Sequence, residues 1–215
     1  MSGTGDRRPI AARDLAVTGR IAGWLVRRGA SADAISMAGM VAGLAAGLAF
    51  AGVSWCPGAA RPLWILGALF VQLRLMANLL DGMVAVGRGI ASPAGELFNE
   101  VPDRVSDTAV LLGIGIAAGA PALGLAAALA AMATAYIRAV GKAAGAPSDF
   151  RGPMAKQHRM ALVTALALWC ALAPLGWSLG LPAIVLWIIL VLALATAWRR
   201  LAGAWRTLRA TGSAL

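Results

Sequence analysis

Long apolar runs divide this chain and leave it few ways to fold. We find six of them, at approximately 34–53, 62–81, 105–118, 121–137, 160–175 and 182–198. A transmembrane helix needs about 20 apolar residues, so we extend the third run back to Ala94 and the fourth on to Lys142. With 60% hydrophobic and 13% charged residues, the chain is too apolar for a soluble domain, in which about 25% are charged. No run alternates like a barrel strand. We therefore predict an all-α polytopic membrane protein with six transmembrane helices.

The residues before the first run predict a further helix. Between Ala11 and Arg28 apolar residues share one helical face, and arginines recur at seven-residue intervals on another. This pattern is typical of an amphipathic helix that lies in the membrane interface; a basic leader that only sets the topology is the alternative. We expect a cytoplasmic N-terminus with this helix at 1–33, a six-helix transmembrane domain that would carry any catalysis at 34–204, and a cytoplasmic tail at 205–215.

Positive charges predict the orientation. Six arginines precede the first run, most other Lys and Arg fall in every second loop or after the last run, and the three opposite loops contain only Arg61. Because Lys and Arg of short loops stay on the cytoplasmic side, we place both termini in the cytoplasm. The net charge of +10 then reflects topology and attraction to anionic lipid headgroups, which makes nucleic acid an unlikely partner and membrane lipids the expected one.

Acidic residues are concentrated in one segment. Five of the nine Asp and Glu lie in the 27 residues from Asp81 to Asp107, at the border of two predicted spans, where ionisable groups are costly and usually functional. On the second span Arg74, Asn78 and Asp81 are spaced four and three apart, so they share a helical face. We expect them to be neighbours near the cytoplasmic end of that helix.

The third span repeats this arrangement. Acids and amides recur there at positions 96, 99, 100, 103 and 107. If the two helices are antiparallel neighbours, their polar faces can meet in a cleft open to the cytoplasm, lined by carboxylate and amide oxygens. Mg²⁺ prefers oxygen ligands, commonly one or two carboxylates plus substrate phosphates. Asp81 with Asn78, and Asp103 with Asn99, fit that description.

Small residues and cations flank the acids. Gly82, Ala85 and Gly95 leave a wall without bulky side chains, which a nucleotide diphosphate can approach closely. The basic loop 151–159 and Arg138 lie near the same membrane surface and suit a phosphorylated substrate or a lipid headgroup. The loop residues with a candidate phosphate-binding role are Lys156 and Arg159, for which a purely topogenic charge is the alternative.

This segment resembles the signature of the CDP-alcohol phosphotransferase family, D-x-x-D-G-x-x-A-R-x8-G-x-x-x-D-x-x-x-D. Five of its eight defined positions match, and the spacing is intact. Asn78 and Asn99 stand where the family has its first and third aspartates, as in a bacterial branch with this pattern. Val86 stands at the arginine position, and Arg88 follows two residues later. The matching positions are Asp81, Gly82, Ala85, Gly95 and Asp103.

The resemblance covers most of the chain. Residues 31–36 are similar to the start of the family's first helix, and 155–159 to its Gly-Lys-x-x-Arg/Lys-Thr loop. Six helices after an interfacial amphipathic helix is also the family architecture. The resemblance implies a multi-pass protein of the bacterial inner (cytoplasmic) membrane, with its active site facing the cytoplasm, and a homodimer.

The family transfers a substituted phosphate from a CDP-linked alcohol, often CDP-diacylglycerol, to a hydroxyl acceptor. CMP is released and a phospholipid is made. The resemblance implies that Mg²⁺ (or Mn²⁺) binds Asp81, Asn78, Asn99 and Asp103, and that Asp103 is the general base. Arg88 or Arg74 would replace the missing arginine.

Two asparagines in place of aspartates remove two negative charges, so a two-metal clamp on the transferred phosphate becomes harder to hold. We therefore expect one firmly bound metal ion and a second that arrives with the CDP substrate. The alternative functions are a catalytically impaired member that binds lipid or nucleotide, and a small transporter. Polar residues gathered at one end, not at the midplane, disfavour transport.

Overall fold

The computed structural model describes residues 16–89, 93–174 and 176–212, and in these ranges the chain is helical without strands. This confirms the all-α prediction. The described part contains seven α-helices, with a single 3-10 turn at Pro57–Ala59 before the third. They are α1 (Ala16–Arg27), α2 (Ala32–Trp55), α3 (Ala60–Gly87), α4 (Pro93–Ala117), α5 (Pro121–Ala143), α6 (Lys156–Leu172) and α7 (Leu181–Gly212).

Four segments of the described part are long and apolar enough to cross a bilayer: Ala32–Trp55, Pro57–Gly87, Pro121–Ala143 and Leu181–Ala210. The other two helices that we predicted as spans differ for separate reasons. α4 carries Glu100, Asp103, Arg104 and Asp107 within two turns, and α6 has only 17 residues. The six-span count therefore stays a prediction, although helices exist at all six predicted positions.

α3 runs antiparallel to both α2 and α4, as contacts at both ends of the bundle demonstrate. At one end, Ser36 near the start of α2 donates a hydrogen bond to Asp81 near the end of α3. At the other, the Ser54 hydroxyl near the end of α2 donates to the Ile116 carbonyl of α4, at 2.8 Å. The polar residues of α3 and α4 consequently lie at the same end as the starts of α2 and α6.

The amphipathic N-terminal segment is helical from Ala16 to Arg27, and residues 11–15 of its predicted extent lie outside the described part. α1 packs against α3. Val17 and Trp24 on it are 62% and 48% exposed, an apolar surface that fits the predicted interfacial position.

Glycines of α2 permit its close packing against α3 and α4. A Cβ at Gly39 would lie 2.8 Å from the Ala77 Cβ, and one at Gly47 would lie 2.6 Å from the Ala109 carbonyl carbon. Both distances are far below van der Waals contact. These glycines of α2 therefore serve close packing within the bundle, as small residues do in membrane helices.

The helical bundle is closed by α5, α6 and α7. α5 packs on α4 and α7, and α6 packs on α3 and α7. Phe50, Leu111, Met160 and Ile189, from four different helices, are fully buried in one continuous apolar core. α7 continues through the residues that we assigned to a C-terminal tail, as far as Gly212.

Candidate active site

The polar faces of α3 and α4 meet at one end of the bundle. The Asn78 amide nitrogen donates a 2.5 Å hydrogen bond to the Asp103 Oδ1 atom. Arg74, one turn before Asn78, lies 3.3 Å from the same oxygen. Helical spacing had predicted the shared face on each helix, and the packing of the two helices joins them.

Asp81 lies in the same region, only 3% exposed. Its Oδ2 atom accepts a 2.6 Å hydrogen bond from the Ser36 hydroxyl of α2, and its Oδ1 atom accepts a 2.5 Å hydrogen bond from the Gly82 backbone nitrogen. The carboxylate is close enough to Asp103 and Lys156 for electrostatic interaction with both. Ser36 is a partner that sequence reasoning missed, because no periodicity relates residues 45 positions apart.

Lys156 contributes its ammonium group from the start of α6, where it donates a hydrogen bond to the Asp103 Oδ2 atom. The loop before it is held to α7, since the Met154 backbone nitrogen donates a 3.0 Å hydrogen bond to the Thr196 hydroxyl. Gly152 has a φ of +143° and lies directly against Thr196, a position that suits only glycine. The loop is thereby fixed so that α6 begins beside Asp103.

Behind the carboxylates lies a buried ion network. Asp107 receives hydrogen bonds from Arg74, at 2.5 Å, and from Arg159. The Asp107 side chain is 4% exposed, and both arginine side chains are 1% exposed. A buried carboxylate between two guanidinium groups is stable only because each charge is paired. Arg159, predicted to bind phosphate, is thus committed to a carboxylate in the structure.

The structure also locates the other predicted residues. Arg88 donates hydrogen bonds to the carbonyls of Gly29 and Ala30, at 3.2 and 2.8 Å, and so closes the end of α1. Ala85 is half-buried near the end of α3. Gly95 and Asn99 belong to the first turns of α4, and their side-chain environment lies outside the described part of the chain.

A second polar group links this cluster to a cavity. Arg138 of α5 forms a 2.5 Å hydrogen bond with Glu100 of α4, and its guanidinium lies 5.0 Å from the centre of the Phe150 ring. Arg104 bridges Glu100 and Asp103, at 3.6 and 3.5 Å. Arg138 therefore stands between the carboxylates of α4 and the loop that follows α5.

The cavity beside Arg138 has a volume of about 870 Å³. It lies between the end of α5, the loop 144–155, the start of α6 and the second half of α7. Among its lining residues, one acid, Asp149, faces a group of basic side chains. Burial alone would raise the pKa of Asp149, but hydrogen bonds from the Arg151 side chain and backbone hold it below its usual value. The basic lining residues are Arg138, Arg151, His158, Arg200 and Arg206.

The donor set near Asp81 fits one hard divalent cation. Asp81 keeps lone pairs on both oxygens beyond its two hydrogen bonds, and Mg²⁺ or Mn²⁺ can complete its shell with substrate phosphate and water. Among the described residues no three Asp, Glu, His or Cys side chains are grouped to hold an ion by themselves. Asp103 differs, because Lys156 and Arg104 already lie at one of its oxygens and Arg74 at the other.

The helical bundle with this polar end has the fold of the CDP-alcohol phosphotransferase family, as comparison with solved structures shows. The similar structures are of phosphatidylinositol phosphate synthase from Mycobacterium tuberculosis. The one with CDP-DAG bound is 24% identical, with a TM-score of 0.74 over 89% of this chain and 94% of that one. The complex with manganese and citrate is 25% identical, with a TM-score of 0.73 over 87% and 88%.

The apo form of the same synthase is 24% identical, with a TM-score of 0.67 over 86% of this chain and 95% of that one. No protein-family model and no curated protein matches the chain significantly. The family resemblance that the motif predicted is therefore supported by three-dimensional structure.

Proposed function

We propose that this protein transfers a substituted phosphate from a CDP-linked alcohol to a hydroxyl acceptor, with release of CMP. The observation that carries the proposal is the contact of Asp103 with Asn78, on the helical face of Asp81, and with the Lys156 ammonium. This contact lies at one end of a bundle that shares its fold with a synthase crystallised with CDP-DAG. The likeness favours a transferase over a binding protein without activity.

In the proposed reaction the acceptor hydroxyl oxygen attacks the phosphorus that bears the donor's alcohol group. A new P–O bond forms, and the bond from that phosphorus to the bridging oxygen breaks. CMP leaves with the electron pair of the broken bond. The acceptor proton passes to Asp103, which becomes neutral.

Asp103 has the geometry for that role. Its Oδ2 atom accepts one described hydrogen bond, from Lys156. Arg104 lies 3.5 Å from the same oxygen without a described hydrogen bond, so a lone pair remains for the acceptor hydroxyl. Neighbouring cations keep the carboxylate ionised before the reaction. Asp103 is therefore the proposed general base. We expect its substitution to reduce the rate of CMP release more than substitution of any other residue.

The diphosphate would bind at Asp81 and Gly82. A divalent ion, Mg²⁺ or Mn²⁺, would neutralise phosphate charge when bound there; the manganese complex of the similar synthase supports this choice. Gly82 leaves the backbone open for the close approach of phosphate oxygens. Asn78, Asn99 and Asp103 stay predicted ligands, and Ala85, Gly95 and Arg88 stay predicted contacts of the nucleotide.

For the acceptor, the cavity beside Arg138 is the proposed site. Its basic lining favours an alcohol that carries an anionic group, such as a phosphate ester. Arg138 connects it with the carboxylates through Glu100. An acceptor held there would present its hydroxyl towards Asp103. The protein would act in the bacterial cytoplasmic membrane as a homodimer with its active site on the cytoplasmic side.

The test is release of labelled CMP from CDP-diacylglycerol by the purified protein in lipid, with Mn²⁺ or Mg²⁺ and a panel of polyols and phosphorylated polyols. We expect release that requires the metal and one acceptor class. A protein that binds CDP-diacylglycerol but releases no CMP with any acceptor would contradict the proposal.

A further inference from the structure

Positive charge at the carboxylate cluster is unusual for a site that resembles a two-metal clamp. Among the described residues, four carboxylates lie there: Asp81, Glu100, Asp103 and Asp107. Five cations pair with members of this group: Arg74, Arg104, Arg138, Lys156 and Arg159. The protein part of the cluster thus has an excess of positive charge before any metal ion binds.

The charges are also incompletely neutralised by hydrogen bonds. The Nε and Nη1 atoms of both Arg74 and Arg159 are buried without a hydrogen-bond partner in the described part of the chain. No described acceptor offsets the positive charge at these donor atoms. A second divalent ion beside Asp103 would therefore meet repulsion at short range, where the effective dielectric constant is low.

Lys156 would compete with such an ion for the Asp103 carboxylate. Its ammonium contacts Asp103 Oδ2 and lies close enough to Asp81 to interact with it. The Lys156 side chain is 15% exposed, so water screens it only weakly. An ammonium group that contacts Asp103 supplies one positive charge there without any metal.

We propose that the Lys156 ammonium takes the place of one of two divalent ions, so that this protein works with a single metal ion, held at Asp81. The inference rests on the proposed function. It differs from the expectation from sequence of a second ion that arrives with CDP, because the Lys156 ammonium already contacts Asp103. Asparagines at 78 and 99 are then consistent with a site that needs less negative charge.

The experiment counts Mn²⁺ ions by electron paramagnetic resonance, with CDP present, in the full-length protein in nanodiscs. Mn²⁺ is added to protein of known concentration, and the signal of the free ion is measured at each step. A pair of bound ions is recognised by its exchange-coupled spectrum. We expect roughly one ion per chain in the wild-type protein and no coupled pair. A ratio of about two, or a coupled spectrum, would overturn the inference whatever the variants do.

Variants test Lys156 itself. Lys156→Met removes the ammonium, and Mn²⁺ binding should tighten about tenfold or more, or a second ion should bind. Lys156→Arg keeps the charge and should bind roughly one ion, as the wild type does. The matched control is Lys142→Met, since Lys142 at the end of α5 is the only other lysine of the chain, and it should leave Mn²⁺ binding unchanged. Unchanged affinity and stoichiometry in Lys156→Met would refute the inference.

The readout separates this inference from the proposed function. One bound Mn²⁺ without CMP release would contradict the transferase and leave the single-ion site standing. CMP release with two bound ions would support the transferase and refute the single-ion site.

Discussion

Asp107 of α4 and Arg74 of α3 form an ion pair of 2.5 Å in which both side chains are almost completely buried. Neither residue belongs to the motif that the chain resembles. The pair joins the two helices that carry the candidate active site, directly behind Asp103. The pair indicates that Asp107 stabilises the packing of α3 against α4 and does not contact substrate.

Loss of this pair should destabilise the protein. In Asp107→Asn two buried guanidinium groups lose their shared counterion, and we expect the free energy of unfolding to fall by about 3–5 kcal/mol. Unfolding by sodium dodecyl sulfate in mixed micelles measures it. Asp33→Asn, an exposed acid at the start of α2, is the matched control and should cost under about 1 kcal/mol. Equal stability of the two variants would mean that the ion network around Asp107 does not stabilise the protein.

Asp103→Asn should retain the fold and lose CMP release by a factor of about 10² to 10⁴, the usual contribution of a general base. The amide cannot accept the acceptor proton, yet it keeps the size of the side chain. The rate is measured at saturating CDP-diacylglycerol, with Asp33→Asn as the control. A folded Asp103→Asn protein with the wild-type rate would exclude Asp103 as the base.

Asn78→Asp should make stability depend on metal. The new carboxylate would lie at hydrogen-bond distance from Asp103, so without metal we expect a loss of about 1–3 kcal/mol. Mn²⁺ should restore stability by binding between the acids. Gln72→Glu serves as control, since Gln72 is on the same helix and is bonded to Thr164 of α6 at 2.8 Å. It should lose stability that Mn²⁺ does not restore. Stability of Asn78→Asp that does not respond to Mn²⁺ would show that Asn78 does not adjoin a metal site.

Arg151→Gln tests the acceptor cavity. The variant removes a cation from its lining, and we expect the acceptor KM to rise about tenfold or more, since a charge-assisted hydrogen bond is lost. The KM for the CDP-linked donor should not change. Arg209→Gln, on α7 outside the cavity lining, serves as control. A rise confined to the donor KM would move the acceptor site elsewhere.

Gly47→Ala tests the contact of α2 with α4. The added methyl group would meet the Ala109 carbonyl carbon at 2.6 Å, and we expect a loss of about 1–3 kcal/mol from overpacking. Gly58→Ala, where a Cβ meets nothing within 4 Å, should be nearly neutral. A neutral effect of both variants would show that the two helices can separate without cost.

Much of the candidate site was accessible to sequence reasoning. Arg74, Asn78 and Asp81 on one helix, and Asp103 and Asp107 on the next, were predicted to share faces because helical periodicity relates residues three and four apart. The six apolar runs predicted α2 to α7, and the amphipathic periodicity before the first run predicted α1. The number of spans was not settled, because α4 combines sufficient length with several charges.

Other features depend on contacts between distant segments. Lys156 reaches Asp103 across 53 positions of the chain, and Ser36 reaches Asp81 across 45. Arg88, expected at the diphosphate, donates hydrogen bonds to the Gly29 and Ala30 carbonyls that follow α1. Motif spacing contains no information on the direction in which these side chains point.

Hydrophobicity and periodicity are local properties, so they were sufficient to predict a helical membrane protein and to group its polar residues by helix face. Which cation neutralises which carboxylate depends on how the helices rotate and cross when they pack. That geometry depends on close contacts such as those at Gly39 and Gly47, where α2 packs against α3 and α4, the two helices whose buried charges pair.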